Sequence, residues 1–245
     1  MPETPELSVV LPTYKEKENL AIFIPQIEAE FQNISLEIIV VDDNSNDGTR
    51  ELVSELSKKY RNVILLERPG LLGIGSALRD GYNRARGQYI LSSDADLSFV
   101  TSDMRSLYEK IRTGYDLVLG YKVVDKWPGE KRKRVITQEM MLPIGWVCNL
   151  IVRVISRTGN LREYNTNFRA IRSTMWKKFR TTEDRNFFLF ETIFRAHQKG
   201  AKIAEIPAMF RPRKFGDSKL NFLQQALPYF IKLVRVIFLD KSPVA

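Results

Sequence analysis

Short apolar runs alternate with longer amphipathic stretches along the first half of the chain. The apolar runs are rich in β-branched residues and predict strands over residues 7–12, 37–41, 63–67, 89–92 and 116–120. Between them, helical spacing of apolar positions predicts helices over 18–31, 49–60, 74–86 and 102–113. Such alternation is typical of βαβ units. We therefore predict an α/β fold in which helices flank a mostly parallel sheet.

The pattern changes after residue 120. Residues 122–134 are polar and basic and predict a loop, and an apolar helix is predicted over 140–155. A core helix over 187–196, a strand over 202–206 and a basic loop over 211–219 follow. The last stretch has apolar residues at helical spacing and predicts a C-terminal amphipathic helix. We expect one domain over 1–220 and a membrane-associating helix over 221–245.

Two side chains in the predicted core helix receive structural interpretations. Glu191 is a lone carboxylate in an apolar segment, and a buried carboxylate needs a partner. Arg195, one helical turn later, is the expected partner. His197 is expected on the helix surface rather than in a catalytic site.

Composition limits the class of protein. With 245 residues, of which 44% are hydrophobic and 27% charged, the chain is expected to be globular rather than disordered. The net charge of +9 favours anionic partners, namely nucleic acid, anionic lipid or phosphorylated ligands. The single cysteine, Cys148, excludes an internal disulfide and fits a reducing compartment.

Targeting signals are not expected. The N-terminus is acidic and lacks the apolar stretch of a secretory signal. The most apolar window, residues 222–239, is interrupted by charged and amide side chains, whereas a membrane span needs about 20 mostly apolar residues. We expect a cytoplasmic protein that is peripheral to the cytoplasmic face of a membrane.

Two acidic clusters follow predicted strands. Asp94-Ala95-Asp96 comes after the run 89–92, and Asp42-Asp43 closes the run 37–41. Ligands of α/β sheets bind outside the carboxyl ends of the strands. Mg²⁺ and Mn²⁺ prefer oxygen ligands, often one or two carboxylates completed by substrate phosphates. We therefore predict a nucleoside diphosphate site with a Mg²⁺ or Mn²⁺ ion held by Asp94 and Asp96, although a solvated loop with a capping aspartate is the simpler alternative.

The adjacent aspartates Asp42 and Asp43 have different predicted roles. Side chains of neighbouring strand residues point to opposite faces, so one can face the ligand while the other caps the turn. In the basic loop near the C-terminus, arginines and lysines surround Gly216 and have the charge to clamp phosphate oxygens. A solvated basic loop remains the alternative there.

Several segments in collinear order resemble one known family. They are VVLPTYKEKENL at 9–20, VDDNSNDGT at 41–49, DADLS at 94–98, NFR at 167–169 and RKFGDSKL at 213–220. Together they resemble family 2 glycosyltransferases and, within that family, the dolichol-phosphate mannose synthase branch. Because the match extends from about residue 7 to 220 in order, the signal is specific.

The resemblance implies a GT-A (Rossmann-like) fold and an inverting transfer from a nucleotide sugar, which in this branch is usually GDP-mannose. The residues that it implies for the donor are Pro12, Tyr14, Glu16, Val41 and Asp43 at the nucleoside, Asp94, Ala95 and Asp96 at the diphosphate and metal, and Arg213 and Lys219 over the phosphates. Lys122 stands where the branch commonly has arginine, so it keeps the charge but loses the bidentate fork.

The resemblance also bears on the acceptor. Glu163 occupies the place of the family's usual aspartate and is expected either to act as a base or to orient Arg162. A lipid monophosphate, with a second pKa near ~6, needs no base, whereas a sugar hydroxyl does. The arginine and serine that the branch carries upstream of an asparagine are missing from 138–149, and the basic residues 131–134 are candidates to replace them.

Two alternatives stay open. The chain could transfer another sugar, such as glucose from UDP-glucose, to a lipid phosphate or a glycan hydroxyl. It could instead be a basic α/β module that binds nucleic acid, but that hypothesis leaves Asp94-Ala95-Asp96 unexplained. We expect a catalytic role for Asp96, Glu163 and Lys122, a membrane-bound partner subunit, and no nucleic acid partner.

Overall fold

The computed structural model describes residues 4–123, 152–153, 158, 161–211, 229, 231–233 and 235–236. The strands are β1 (Leu7–Thr13), β2 (Leu36–Asp42), β3 (Val63–Glu67), β4 (Tyr89–Ser92), β5 (Leu117–Val123), β6 (Arg169–Arg172) and β7 (Ile203–Met209). The helices are α1 (Lys17–Glu30), α2 (Thr49–Tyr60), α3 (Ile74–Arg84), α4 (Thr101–Arg112), α5 (Ser173–Trp176) and α6 (Phe187–Gln198). Every strand and helix predicted within these residues is present, with ends displaced by up to three residues.

The strands form one sheet in the order β3-β2-β1-β4-β6-β5-β7. Strands β1 to β4 are parallel to their neighbours, and β5 is parallel to β7. Strand β6 is antiparallel to both β4 and β5. The predicted mostly parallel α/β sheet is therefore confirmed. One edge of the sheet collects the carboxyl ends of six strands and the amino end of β6.

Helices cover both faces of the sheet because alternate strand residues point to opposite sides. Val9 and Leu11 of β1 pack with α1 and α4, whereas Val10 packs with α3 and α6. All three are fully buried. The near-continuous apolar strands that the sequence shows are what a parallel sheet covered on both faces requires.

Two elements were not predicted, and one residue was wrongly assigned to a loop. Strand β6 and the short helix α5 fall in a stretch without an apolar run, since β6 reads Arg-Ala-Ile-Arg. Pairing on both sides with β4 and β5 imposes the extended conformation there. Lys122, which was assigned to a loop, lies in β5, where it is paired with Ala208 of β7.

Two glycines allow the start of α3 to approach the segment before α6. Gly73 has φ of 104°, which favours glycine, and a Cβ there would lie 2.5 Å from the Asp184 carbonyl oxygen. A Cβ on Gly75 would lie 2.6 Å from Cβ of Phe188. These glycines therefore permit close packing between α3 and residues 184–188.

The predicted pairing of Glu191 with Arg195 is confirmed. Their charged groups are 3.5 Å apart, and the Glu191 carboxylate also accepts the N–H groups of Thr182, at 3.1 Å, and Glu183, at 3.0 Å. Burial raises the pKa of the fully buried Glu191 carboxyl, and these N–H groups and Arg195 oppose the rise. His197, as predicted, is exposed.

We expect Glu191 to make the stability of the protein depend on pH. Because its folded-state pKa is raised above the ordinary value of 4.5, the folded state binds the proton more tightly than the unfolded state. The contribution is complete below pH 4.5 and is lost as pH rises through the raised value. Relative to Glu191→Gln, the wild type should gain about 1.4 kcal/mol of unfolding free energy per pH unit on acidification within that window. Urea unfolding at several pH values measures this, and a pH-independent difference between the two proteins would contradict it.

Most of the predicted C-terminal amphipathic helix lies outside the described residues. The residues of this segment that are described lie in helical turns; Leu233 and Val236 are buried with the core on the α6 side, and Ile231 is 59% exposed. Across the described part of the chain, every helix is too short or too polar to cross a bilayer.

Candidate active site

The two acidic clusters lie at the same edge of the sheet, on either side of β1. In the register of β1 with β2, Pro12 is paired with Val41 and Thr13 with Asp42. On its other side, β1 pairs with β4, which ends at Ser92 and leads into Asp94. The strand order therefore brings together the loops that the sequence predicted to form a ligand pocket.

Left-handed backbone conformations cluster in these loops. Lys15, Asn44 and Leu97 have φ of 59°, 58° and 61°, and they follow β1, β2 and β4 respectively. Positive φ is uncommon outside glycine and concentrates at functional sites. For the branched side chain of Leu97 it is a strained conformation, which the turn around Asp96 and Ser98 maintains.

Asp42 is the carboxylate that caps the turn after β2. It accepts the N–H of Ser45 at 2.9 Å and the Ser45 hydroxyl at 2.5 Å. The Ser45 hydroxyl oxygen also accepts the N–H of Lys15, at 2.8 Å, so the turn is tied to the loop after β1. The two loops therefore form one connected unit.

Asp43 is held in a buried ion pair. Its carboxylate lies 2.5 Å from the Arg68 guanidinium and accepts the N–H groups of Leu72 and Gly73, both at 3.2 Å. Burial raises the pKa of the Asp43 carboxyl, while Arg68 and the two N–H groups oppose that rise. Arg68 also contacts the carboxylate of Asp80, at 3.2 Å. Asp43 thereby fixes the loop that leads into α3.

The other residues expected at the nucleoside differ in exposure. Pro12, near the end of β1, and Tyr14 and Glu16, in the loop after it, are partly exposed. Glu16 accepts the side-chain amide of Asn19 at 2.5 Å. Val41 is fully buried against α3. The side chain of Val41 therefore packs in the core beneath the site.

Asp94 and Asp96 lie in a tight turn after β4. Asp94 is half-buried and accepts the side-chain amide of Asn167 at 3.1 Å. Asp96 is 4% exposed and accepts the N–H of Ser98 at 3.0 Å. Ala95 between them is buried, with no bulk to block either carboxylate. Both carboxylates therefore lie in one turn directly after β4.

The donor atoms at this turn fit a hard divalent cation. Ser98 Oγ and Asn167 Oδ1 are buried oxygens without a hydrogen-bond partner in the described part of the structure. No group of three or more histidine, cysteine, aspartate or glutamate side chains forms a metal cage within the same residues. Two carboxylates and neutral oxygens, completed by phosphate oxygens, are the usual environment of Mg²⁺ at nucleotide sites.

Two basic residues lie at the same edge of the sheet as the acidic turn, beyond β6. Lys122 lies at the carboxyl end of β5, with its ammonium 5.0 Å from the centre of the Phe210 ring. The N–H of Arg211 donates to the Ser98 carbonyl at 2.8 Å, which fixes the start of the basic segment at the acidic turn. Arg213 and Lys219 lie outside the described residues, as do 131–134, 138–149 and Cys148.

Glu163 lies in a segment that Glu205 of β7 holds in place. The Glu205 carboxylate accepts the N–H groups of Arg162, at 2.9 Å, and Glu163, at 3.0 Å. Glu163 itself accepts the N–H of Asn165 at 3.0 Å. Burial raises the pKa of the Glu205 carboxyl, against the influence of those N–H groups. The Arg162 guanidinium lies 4.7 Å from the centre of the Tyr121 ring.

Sequence reasoning missed three residues of this site: Arg68, Ser98 and Asn167. Arg68 directly follows β3, so its position at a strand end was an available signal. Ser98 and Asn167 lie within the segments that resemble the family, yet neither received a role. Their importance comes from contacts that only the fold creates.

Comparison with known proteins adds to this geometry. The family model described as glycosyl transferase family 2 matches residues 8–197. A dolichol-phosphate mannosyltransferase from Pyrococcus furiosus is 29% identical over 221 residues, which is 88% of this chain and 59% of that protein.

Solved structures share the fold at low sequence identity. A mannosyltransferase from Pyrobaculum calidifontis, in complex with GDP-Man and Mn²⁺, superposes with a TM-score of 0.61 at 17% identity, covering 88% of this chain and 59% of that one. Glucosyl-3-phosphoglycerate synthase from Mycobacterium tuberculosis, with Mn²⁺ and UDP, gives 0.66 at 15% identity, covering 94% and 80%. The chain thus spans about three fifths of the Pyrococcus relative, and the structural likeness extends over most of its own length.

Proposed function

Because the chain belongs to glycosyl transferase family 2, we propose that it is an inverting, metal-dependent glycosyltransferase that transfers mannose from GDP-mannose to a lipid phosphate. The observation that carries the proposal is the meeting of Asp43 and the Asp94–Asp96 turn at the carboxyl ends of β2 and β4, on either side of β1. The Pyrococcus relative, named a dolichol-phosphate mannosyltransferase, supports the choice of sugar and acceptor.

The arrangement of charges suits departure of a diphosphate. As the sugar–phosphate bond breaks, negative charge grows on the leaving diphosphate, and a divalent cation held by Asp94 and Asp96 would stabilise it as a Lewis acid. Two buried oxygens of the same corner, Ser98 Oγ and Asn167 Oδ1, have no hydrogen-bond partner among the described residues, so together with the two carboxylates they provide the oxygen ligands that such an ion prefers. Lys122 supplies further positive charge from the end of β5.

The proposed acceptor enters from the side of β5, β6 and β7. A lipid phosphate is already ionised near neutral pH and attacks the sugar without a base. In this proposal Glu163, held through its N–H by Glu205, shapes the acceptor side; it would become the proton acceptor for a hydroxyl substrate. Membrane contact and a membrane-bound partner subunit belong to the same proposal.

Nucleotide-sugar selectivity tests the proposal directly. We expect GDP-mannose with Mn²⁺ to raise the melting temperature of the protein by several degrees, because a ligand that binds only the folded state stabilises that state. We also expect the protein to hydrolyse GDP-mannose slowly when no acceptor is present. Adding polyprenyl phosphate should convert hydrolysis into transfer. Differential scanning fluorimetry and measurement of released GDP provide the two readouts.

The matched control is UDP-glucose under the same conditions, with and without EDTA. If UDP-glucose but not GDP-mannose stabilises the protein, the proposed donor is wrong, whereas the proposed enzyme class stands. Stabilisation by neither, together with tight and salt-sensitive binding of RNA or DNA, would reject the glycosyltransferase proposal.

A further inference from the structure

Arg169 is a buried cation at the edge of the sheet that carries the acidic turn. It is fully buried, is the first residue of β6, and is paired with Ser92 of β4 and Leu119 of β5. Since β6 runs antiparallel, its first residue lies beside the carboxyl ends of the neighbouring strands. A guanidinium is therefore buried directly behind the loops of the candidate site.

The partners of Arg169 are carbonyl groups. Its Nε donates to the Thr166 carbonyl at 2.9 Å, Nη2 donates to the same oxygen, and Nη1 donates to the Leu189 carbonyl at 2.9 Å. Among the described residues it forms no ion pair with a carboxylate, in contrast to Arg68 and Arg195. Burying a cation without a counter-ion is costly, so a merely structural position would favour an apolar side chain.

The carbonyl contacts of Arg169 lead to the acidic turn through two residues. Thr166, whose carbonyl Arg169 holds, also accepts the Phe168 N–H on its hydroxyl at 3.0 Å. Asn167 lies between them; its carbonyl accepts the Ser92 hydroxyl at 2.7 Å and its amide donates to Asp94 at 3.1 Å. Fixing Thr166 and Phe168 therefore fixes the direction in which the Asn167 amide points.

The charge of Arg169 acts on the same site. Burial lowers the pKa of its guanidinium, while the nearby carboxylates of Glu163 and Asp94 oppose that fall. A positive charge directly behind the turn also attracts an incoming diphosphate.

We propose that Arg169 is a positioning residue for the diphosphate corner: it holds the Thr166–Phe168 turn so that Asn167 orients Asp94 toward the metal and phosphate. This inference rests on the proposed function, since it names how that site is preorganised. Arg169 touches neither substrate nor metal and acts through Asn167.

The test measures the affinity for Mn²⁺ in the presence of GDP. The electron paramagnetic resonance signal of free Mn²⁺ serves as the readout. Arg169→Lys retains the charge but loses the planar fork that grips two carbonyls, and should weaken Mn²⁺ binding about 10–100-fold, as loss of partners behind metal ligands does. Arg172→Lys is the matched control. Arg172, at the other end of β6, also donates to carbonyls, those of Ile111 and Tyr115, but on the opposite edge of the sheet. Its Mn²⁺ affinity should remain that of the wild type.

Asn167→Ala tests the route independently of the stability of the Arg169 variant. Asn167→Ala should weaken Mn²⁺ binding to a similar degree. The double variant should bind Mn²⁺ only slightly more weakly than the weaker-binding single variant, because both residues act through the same contacts. Circular dichroism of each variant establishes that it is folded.

The outcomes separate this inference from the proposed function. If the wild type binds Mn²⁺ with neither GDP nor UDP, the proposed function fails. If the wild type binds and Arg169→Lys or Asn167→Ala binds equally well, the positioning role is overturned while the proposed function stands. If Arg169→Lys does not fold, the Mn²⁺ affinity of Asn167→Ala decides: unchanged affinity overturns the positioning role, and weakened affinity supports it.

Discussion

Replacement of Asp96 by alanine is expected to abolish metal-dependent sugar transfer while leaving the protein folded. Asp96 is 4% exposed, and its Oδ1 accepts the N–H of Ser98, which is two residues away in the same turn. Under the proposed function, its removal takes away a charged oxygen ligand at the place where the diphosphate would depart. Loss of one preorganised electrostatic contact at a transition state lowers turnover by roughly 10²–10³-fold. The rate of GDP release from GDP-mannose at saturating Mn²⁺ measures the effect.

An exposed carboxylate provides the control for this substitution. Glu109 on α4 is half-exposed and bonds only to surface arginines in the described structure, so Glu109→Ala should keep the wild-type rate. Both variants should melt within a few degrees of the wild type. An Asp96→Ala protein that retained wild-type turnover at saturating Mn²⁺ would remove Asp96 from the metal site.

Replacement of Asp43 by alanine is expected to destabilise the protein and to eliminate nucleotide binding. The side chains of Asp43 and Arg68 are 5% and 3% exposed. Among the described residues, the substitution therefore leaves the buried guanidinium with the half-exposed Asp80 as its one remaining counter-ion. Breaking a buried pair from one side costs about 3–5 kcal/mol. The loop at Leu72 and Gly73 also loses its acceptor. Urea unfolding and GDP titration measure the two effects.

An exposed ion pair at the end of β3 is the reference. Arg50 and Glu67 lie 2.9 Å apart with side chains 59% and 43% exposed, so Arg50→Ala should change stability by about 0–1 kcal/mol. A loss of stability for Asp43→Ala that was no greater than for Arg50→Ala would show that the buried pair is not what holds this loop.

The donor half of the site was predictable because its residues follow regular strands. Strand periodicity located β2 and β4, and the topology of parallel sheets then required their ends to share an edge. The sequence therefore predicts that Asp43 and Asp96 lie at one edge of the sheet. Their partners could not: Arg68 reaches Asp43 across 25 residues, and Asn167 reaches Asp94 across 73.

The acceptor half was less predictable for a physical reason. Strand β6 has no apolar periodicity, and its conformation depends on pairing with β4 and β5, which are distant in sequence. Arg169 gives no local sign that it is buried, since arginine is usually exposed. The basic segments with Lys131, Arg213 and Lys219 lie outside the described residues, so their roles stay predictions.

The place of β6 in the sheet also determines when the pocket can be completed during synthesis. Strands β4 and β5 are separated in the sheet by β6, although β6 follows both in the chain. Until residue 172 has left the ribosome, the inner edges of β4 and β5 carry unpaired backbone groups, which are sites for wrong pairing with other chains. A nascent chain that ends soon after β5 would therefore be a natural client for chaperones that shield strand edges.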